Sequence, residues 1–315
     1  MKSIDIIIPV YNEGHALKTN LSEIRDTLHR IPDVSLRIII VDDGSDDETG
    51  SVAAECAQKN SDVEVVSLTR NFGKEAAILS GLEFSRADAV IVMDSDLQHP
   101  PGLVGRMIEL WRQGLDVVEA CKLSRGRESV VKEKLARSFY LLFRSFVGMD
   151  LENHSDFKLL DRKVVRAYLE LPERKRFFRG LIPWLGFSSA KIYFEVPERK
   201  HGRSGWNIFK LFRLSIDAIT GFTSAPLYLI ILAGLLSLVM AVVIGGTALY
   251  YKFAGIAVSG FTTVILLILL LGSFIMFGLG LIGIYLGQIF EEVKNRPVYL
   301  VDKTRSTLSD KENQK

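Results

Sequence analysis

Cysteine is scarce in this 315-residue chain: Cys56 and Cys121 are its only two, without the paired spacing of a thiol metal site. Two reduced thiols are expected rather than a disulfide framework. Surplus charge is lacking too, since 39 Lys and Arg meet 37 Asp and Glu for a formal net charge of +2. That balance argues against nucleic acid as a partner. A secretory leader is not expected either. Met1-Lys2-Ser3 runs straight into Ile4-Asp5-Ile6-Ile7-Ile8-Pro9-Val10, too short for a signal-peptide core and better read as a first strand. What is abundant is apolar sequence, 48% of the chain, and it is concentrated near one end.

Two uninterrupted apolar runs, residues 227–251 and 261–290, each exceed the ~20 residues a helix needs to cross a bilayer core. The chain is expected to cross twice as a helical hairpin. Arg199, Lys200, Arg203, Lys210 and Arg213 precede the first run and Lys294, Arg296, Lys303 and Arg305 follow the second, whereas the connecting loop carries only Lys252. The positive-inside rule then puts both termini and the large domain on the cytoplasmic side of the inner (plasma) membrane.

Before residue 220 short β-rich runs at residues 4–10, 37–41, 63–68 and 89–93 alternate with helical spacing at 16–28, 49–59 and 75–84. Nearly continuous apolar strands of this kind suit a parallel sheet covered on both faces. A doubly wound sheet binds its ligand beyond the carboxyl ends of its strands. Those ends read Tyr11-Asn12-Glu13, Asp42-Asp43-Gly44-Ser45, Arg70-Asn71-Phe72-Gly73-Lys74 and Asp94-Ser95-Asp96. Farther on, residues 116–120 read as a strand and 132–147 as a basic amphipathic helix. Residues 172–187 and 206–222 interleave bases with aromatics, as in helices that lie among lipid headgroups; packing on the soluble core is the alternative. The polar tail, 306–315, is expected to be disordered.

Asp94-Ser95-Asp96 delivers two carboxylates at a strand end. Hard oxygen ligands suit Mg²⁺ or Mn²⁺, which keeps waters and bridges substrate phosphates. An isolated Asp-x-Asp is weak evidence, because Asp and Ser also serve turns and caps; Gln98 and His99-Pro100-Pro101 make this context more particular. Asp42 and Asp43 can accept hydrogen bonds from a base or ribose, or can simply precede the next helix. The Arg70 to Lys74 loop offers two cations and a close-approach glycine for phosphates, with a solvated loop as the plain alternative.

Taken in order, six segments carry a resemblance over nearly the whole chain: Ile8-Pro9-Val10-Tyr11-Asn12-Glu13, Val41-Asp42-Asp43-Gly44-Ser45, Arg70-Asn71-Phe72-Gly73-Lys74-Glu75, Met93-Asp94-Ser95-Asp96-Leu97-Gln98, Leu171-Pro172-Glu173-Arg174 and Glu291-Glu292-Val293-Lys294-Asn295-Arg296-Pro297. The chain resembles the inverting family 2 glycosyltransferases of GT-A fold, and among them the polyprenyl-phosphate (dolichyl-phosphate) hexose synthases with a C-terminal membrane hairpin. The resemblance implies a Rossmann-like α/β catalytic domain over 1–170, interfacial amphipathic helices over 171–225, two transmembrane helices over 226–291 and a cytoplasmic tail over 292–315. It implies that Pro9, Tyr11, Glu13 and Asp42 hold the nucleoside, with Lys74 and Ser95 also at the donor. Asp94, Asp96 and Gln98 would surround Mg²⁺ or Mn²⁺ on the diphosphate. Asp96 and Asp156 are the implied catalytic pair, Asp156 as acid/base or as acceptor-site residue. Lys122, Arg125, Lys132, Lys158, Arg199 and Ser204 are acceptor-phosphate candidates.

Departures from the family pattern are Ser155 for glycine, Lys158 and Lys122 for arginine, Gly205 for lysine and Ile284 for glutamate. Lysine keeps the charge but loses the two-donor fork. The implied activity moves a hexosyl or N-acetylhexosaminyl group from a nucleotide sugar to polyprenyl phosphate, with UDP favoured over GDP and glucose and N-acetylglucosamine both open. A homotetramer is allowed, through Gly272, Gly278, Gly280, Gly283 and Gly287, although these glycines equally serve packing inside one hairpin. A processive polysaccharide synthase would carry Gln-x-x-Arg-Trp, which is absent. A membrane-tethered sugar-nucleotide sensor would not need the Asp-x-Asp pair.

Overall fold

Residues 1–123, 145, 154–195, 220–221, 223–255 and 260–307 are described in a computed structural model of the chain. The isoleucine- and valine-rich runs form β1 (Lys2–Val10), β2 (Val34–Asp42), β3 (Val63–Ser67) and β4 (Ala89–Val92). All pair in parallel, β1 lying between β2 and β4 and β3 flanking β2. Ile4, Ile6, Ile7 and Ile8 are all fully buried, because helices cover both faces of such a sheet and leave no solvent side for alternation. The helices are α1 (Gly14–Leu28), α2 (Thr49–Lys59), α3 (Lys74–Phe84) and α4 (Leu103–Arg112). Helix α1 buries Leu17, Leu21, Ile24 and Leu28 at helical spacing. Helix α3 lies so close to β1 that a Cβ on Gly81 would come within 2.5 Å of Ile7.

The sheet has seven strands in the order β3-β2-β1-β4-β6-β5-β7. The expected strand at 116–120 is β5 (Val117–Lys122), and the edge is β7 (Ser189–Phe194). The strand that sequence reading passed over is β6 (Lys158–Asp161), which runs antiparallel between β4 and β5. Four residues are too few to display a period. Helix α5 (Arg162–Glu170) follows directly, with Asp161 as N-cap accepting from the Lys163 N–H; then comes the short α6 (Phe178–Trp184), about two turns long.

One buried charge ties the strands together. Asp5, 3% exposed, faces Arg37 in register and accepts from its Nε and Nη2, each at 2.9 Å, while the third arm of Arg37 reaches Glu64 at 3.0 Å. Burial opposes ionisation of Asp5, but Arg37 and Ser85 outweigh it and hold the carboxyl below its ordinary value.

Two compact units divide the chain: residues 1–207 with 297–315, and residues 208–296. The second contains α7 (Ala225–Phe253) and α8 (Phe261–Val293). Both hold candidate membrane spans, Ala225–Phe253 and Leu267–Val293; 29 residues rise about 43 Å, enough for a ~30 Å hydrocarbon core. Within this unit Tyr285 donates to the Thr223 carbonyl at 2.8 Å and Gln288 to the Thr220 hydroxyl at 2.7 Å. Of the five glycines considered for close contact, only Gly278 meets another side chain, with Ile230 3.3 Å from where its Cβ would stand. That contact is between the two helices of one hairpin.

Of the tail expected to be disordered, 306–315, the described residues Ser306 and Thr307 are ordered, at the end of a segment that follows α8. Residues 297–307 return to the first unit and run along the outer edge of β3. Thr69 donates to the Leu300 carbonyl at 2.9 Å, Leu68 bridges Val301, and Asp302 and Thr307 donate to the Ser67 and Val65 carbonyls at 2.7 and 2.9 Å. Ser306 and Thr307 hydroxyls accept from the Ser67 and Val65 N–H groups in turn. Polar sequence forms an ordered strap here because an edge strand offers unpaired N–H and C=O groups. Residues 308–315 lie outside the described residues. Deleting 297–315 is expected to raise amide hydrogen exchange at Val65 and Ser67 at least tenfold and to lower stability by about 2–4 kcal/mol, a few net hydrogen bonds; mass-spectrometric exchange and thermal unfolding measure both.

Candidate active site

Beyond the carboxyl ends of β1, β2, β3 and β4 lies a cleft of about 320 Å³. Of the expected residues, Pro9, Tyr11, Glu13, Lys74, Asp94 and Asp96 line it, joined by Asp43, Asn71 and Gly73. A second hollow, about 210 Å³, lies at the amino-terminal end of β2, where Arg25 already spans Asp62 through two hydrogen bonds. It gathers none of the strand-end loops.

Two of those loops interlock. Asp43 accepts from the Phe72 and Gly73 N–H groups at 2.7 and 2.9 Å. Gly44 has φ +64°, and a Cβ there would stand 2.2 Å from the Arg70 carbonyl carbon, so only glycine permits this approach. Asp43 therefore braces the loop that carries Lys74. Burial raises its carboxyl against the pull of those two N–H groups. Asp42, 1% exposed, accepts from the Ser45 N–H at 3.1 Å and is not among the side chains lining the cleft.

The loop after β4 is shaped by its own side chains. Gln98 N–H donates to Asp96 Oδ1 at 3.1 Å, Asp94 N–H donates to His99 Nδ1 at 3.0 Å, and Leu97 takes the left-handed φ of +59°. His99, nearly fully buried, stacks on Phe157 with ring centroids 5.1 Å apart. This fixes the loop against the segment bearing Asp156. Ser95 is buried and donates its hydroxyl to Glu13. Burial, then the charges of Asp94 and Asp96, raise the Glu13 carboxyl.

Lys74 connects the site. Its Nζ lies 2.5 Å from Asp94 Oδ1 and 2.9 Å from Asp156 Oδ2. Arg179 closes on the same Asp156 carboxylate with two arms, Nε at 3.2 Å and Nη2 at 2.9 Å. Burial opposes the charge on Asp156, yet Lys74 and Arg179 outweigh it and hold the carboxyl well below the usual range. Asp94 is lowered in the same way, by Lys74 first; Lys74, despite desolvation, is raised by Asp94 and Asp156. A carboxylate held so low is a poor proton acceptor and a good anchor for cations.

Asp94 and Asp96 present oxygen ligands at the cleft, a donor set that fits Mg²⁺ or Mn²⁺. Among the described residues no three His, Cys, Asp or Glu side chains converge on one point. The fit is thus to an ion that takes one or two carboxylates and completes its shell with water and phosphate, as Mg²⁺ does. Gln98, the third expected ligand, has a buried Nε2 without a hydrogen-bond partner among the described residues.

Several expectations are corrected. Lys158, expected at the acceptor phosphate, is fully buried and pairs with Glu119, whose other oxygen is 2.9 Å from His154 Nδ1. It begins an interior strand, so its ammonium serves the sheet. Two of the bases expected to meet headgroups in 172–187, Arg176 and Arg179, also turn inward, while Lys175 is exposed. Arg176 donates to the carbonyls of Tyr168 and Leu171, each at 2.7 Å, closing the end of α5, and Arg179 belongs to the active site. Phe178, Leu181 and Ile182 are buried, while Trp184 is exposed. Lys122 lies on β5. Arg125, Lys132, Arg199 and Ser204, with the expected helices at 132–147 and most of 206–222, lie outside the described residues. Arg179 joins the site through Asp156 without having been among the expected site residues; Arg-Gly within an apolar stretch was the available signal for it.

Residues 5–169 match the profile of glycosyl transferase family 2. The chain belongs to that family, and its mixed sheet with a strand-end cleft is a GT-A catalytic fold. It is similar to a glycosyltransferase of Synechocystis sp., 38% identical over 303 residues, which are 95% of this chain and 94% of the relative. It is also similar to the SfII prophage-derived bactoprenol glucosyl transferase of Shigella flexneri, 34% identical over 303 residues, 96% and 98% of the two chains. Among solved structures, glucosyl-3-phosphoglycerate synthase from Mycobacterium tuberculosis in complex with Mn²⁺ and UDP-glucose aligns over 70% of this chain and 77% of its own, at 20% identity and a TM-score of 0.49.

These contacts separate structural from functional cations. Lys158→Met should lower stability by about 3–5 kcal/mol by stranding Glu119, and Arg176→Ala by about 1–3 kcal/mol by exposing the α5 carbonyls. Arg179→Ala should keep a near-wild-type Tm while cutting turnover more than about tenfold. Thermal unfolding and initial rates on the same preparations distinguish the three.

Proposed function

We propose that this chain transfers a glucosyl or N-acetylhexosaminyl group, with inversion, from a UDP-sugar to polyprenyl phosphate at the cytoplasmic face of the inner membrane. The observation that carries the reading is the match to a bactoprenol glucosyl transferase over 96% of this chain and 98% of that one, apolar helices included. The cleft beneath Lys74, Asp94 and Asp96 supplies a place for the diphosphate.

In this reading Pro9, Tyr11 and Glu13 hold the nucleoside, Asp42 shapes the adjoining loop from beneath through the Ser45 N–H, and Asp94 and Asp96 hold Mg²⁺ or Mn²⁺. The bound ion would neutralise charge on the departing nucleoside diphosphate. Lys74 and Arg179 add fixed positive charge in a partly desolvated site, where it counts for more than in water. The nucleophile is a phosphate oxygen, whose second pKa near 6 leaves it largely ionised at neutral pH. Asp156, held ionised by two cations, therefore orients rather than deprotonates. The hairpin confines enzyme and lipid acceptor to one bilayer, which raises their effective concentration. Association into a homotetramer is compatible with this scheme and is not needed for it.

The test is incubation of the bilayer-reconstituted protein with radiolabelled UDP-glucose, UDP-N-acetylglucosamine and GDP-mannose plus polyprenyl phosphate. Label from a UDP-sugar should enter the organic-extractable lipid and should be released with inverted anomeric configuration. Asp96→Asn and chelator treatment should each lower transfer at least about a hundredfold with membrane insertion unchanged. Nucleotide binding without glycolipid in any arm would favour a sensor. A cysteine placed at Ala254, in the loop between the helices, should react with an impermeant reagent from outside intact cells; labelling only after lysis would reverse the topology.

A further inference from the structure

Glu75 follows Lys74 in the first turn of α3, where an acid is ordinarily accounted for by the helix dipole. Here it does something else. Its Oε2 accepts the N–H of Phe178 at 2.8 Å, across 103 positions of chain. Phe178 is fully buried, and the residue after it is Arg179, whose two arms grip Asp156. Lys74 holds that same carboxylate at 2.9 Å. The peptide links 74–75 and 178–179 thus close a ring: two consecutive residues of α3, two consecutive residues of α6, and Asp156 as their common acceptor.

We propose that Glu75 is a positioning residue for glycosyl transfer: it locks the backbone at Phe178 so that Arg179 and Lys74 meet on Asp156 at a fixed spacing and present two cations to a substrate phosphate. This rests on the reading of the chain as a polyprenyl-phosphate glycosyltransferase. The hydrogen bond alone would need only a neutral acceptor. A carboxylate adds a charge that the neighbouring cations feel.

The groups facing Glu75 are Asp156, Lys74 and Arg179, with Tyr168 of α5, itself under the Arg176 guanidinium. Desolvation, then the Asp156 charge, push Glu75 up to about 7 against the Phe178 N–H and the two cations. Lys74 and Arg179 balance Asp94 and Asp156 when Glu75 is protonated, and the cluster carries one negative charge when it is ionised. The potential offered to phosphate therefore becomes less favourable as pH rises through about 7. Stability moves in the same sense: with the folded-state value raised above the ordinary 4.5, ionising Glu75 costs stability between about pH 4.5 and 7.

The experiment compares full-length wild type, E75Q and E75A in bilayers, measuring kcat and both KM values from pH 5.5 to 9, with hydrogen exchange at the Phe178 amide. Wild-type kcat/KM should carry an inflection near pH 7, beside that of the acceptor phosphate near 6. E75Q should keep kcat within about threefold at pH 6 and lose only the upper inflection. E75A should lose about ten- to a hundredfold in kcat, with donor KM changed less than about threefold and Phe178 exchange at least tenfold faster. Wild-type turnover in E75A, or an upper inflection that persists in E75Q, overturns the proposal. If E75A does not fold, the E75Q profile decides. A wild-type enzyme that makes no glycolipid refutes the acceptor reading instead, and the same profiles are then read on sugar release from the donor.

Discussion

The catalytic unit depends on one cation, Lys74, bonded to two carboxylates that come from different parts of the chain. Asp94 follows β4 and Asp156 precedes β6, and Lys74 bonds both, at 2.5 and 2.9 Å. Two carboxylates in a partly desolvated cleft repel, and each would otherwise bind a proton. Lys74 removes that penalty and Arg179 adds to the effect at Asp156. The result is a preorganised set of charges, in place before substrate arrives, which is the condition under which electrostatic catalysis is most effective.

The scaffold serves this arrangement by bracing the Lys74 loop from several directions. Asp43 holds its backbone at Phe72 and Gly73, Gly44 lets the adjoining loop approach, and the strap at 297–307 pins Thr69 just upstream. The strap is joined through α8 to the apolar hairpin, so the same stretch of chain that leaves the second unit ends on the edge of the catalytic sheet. Tyr299 extends the grip to α3 by donating to Glu83 at 2.5 Å. A loop that must hold a flexible lysine in one place gains from such redundancy, since each bond removes rotational freedom that substrate binding would otherwise have to remove.

Much of this was legible in the residues. Continuous Ile and Val runs marked β1 to β4, turn residues marked their ends, and the two long apolar runs marked α7 and α8. The strand-end rule then placed Tyr11, Glu13, Lys74, Asp94 and Asp96 at one cleft and the family resemblance added Pro9, where the fold brings them. The failures share a cause. Lys158, Arg176 and Arg179 are bases near aromatics, and composition cannot tell a base that meets lipid from one that meets a buried carboxylate or a helix end. Ser306 and Thr307 fall in the stretch expected to be disordered because their partners, the edge groups of β3, are more than 230 residues away.

By itself, then, the order of residues determined what acts locally: strand and helix periods, turn chemistry, spans long enough for a bilayer, and paired carboxylates at a strand end. These follow from backbone sterics and from apolar burial, both encoded over a few consecutive residues. Only the tertiary structure decided which opposite charges meet. It put β6 antiparallel inside the sheet, sent Lys158 to Glu119 rather than to solvent, brought Arg179 and Lys74 onto Asp156, and gave Glu75 the amide of Phe178. Ion pairs depend on distance and desolvation in space, and neither quantity is written in the spacing of residues along the chain.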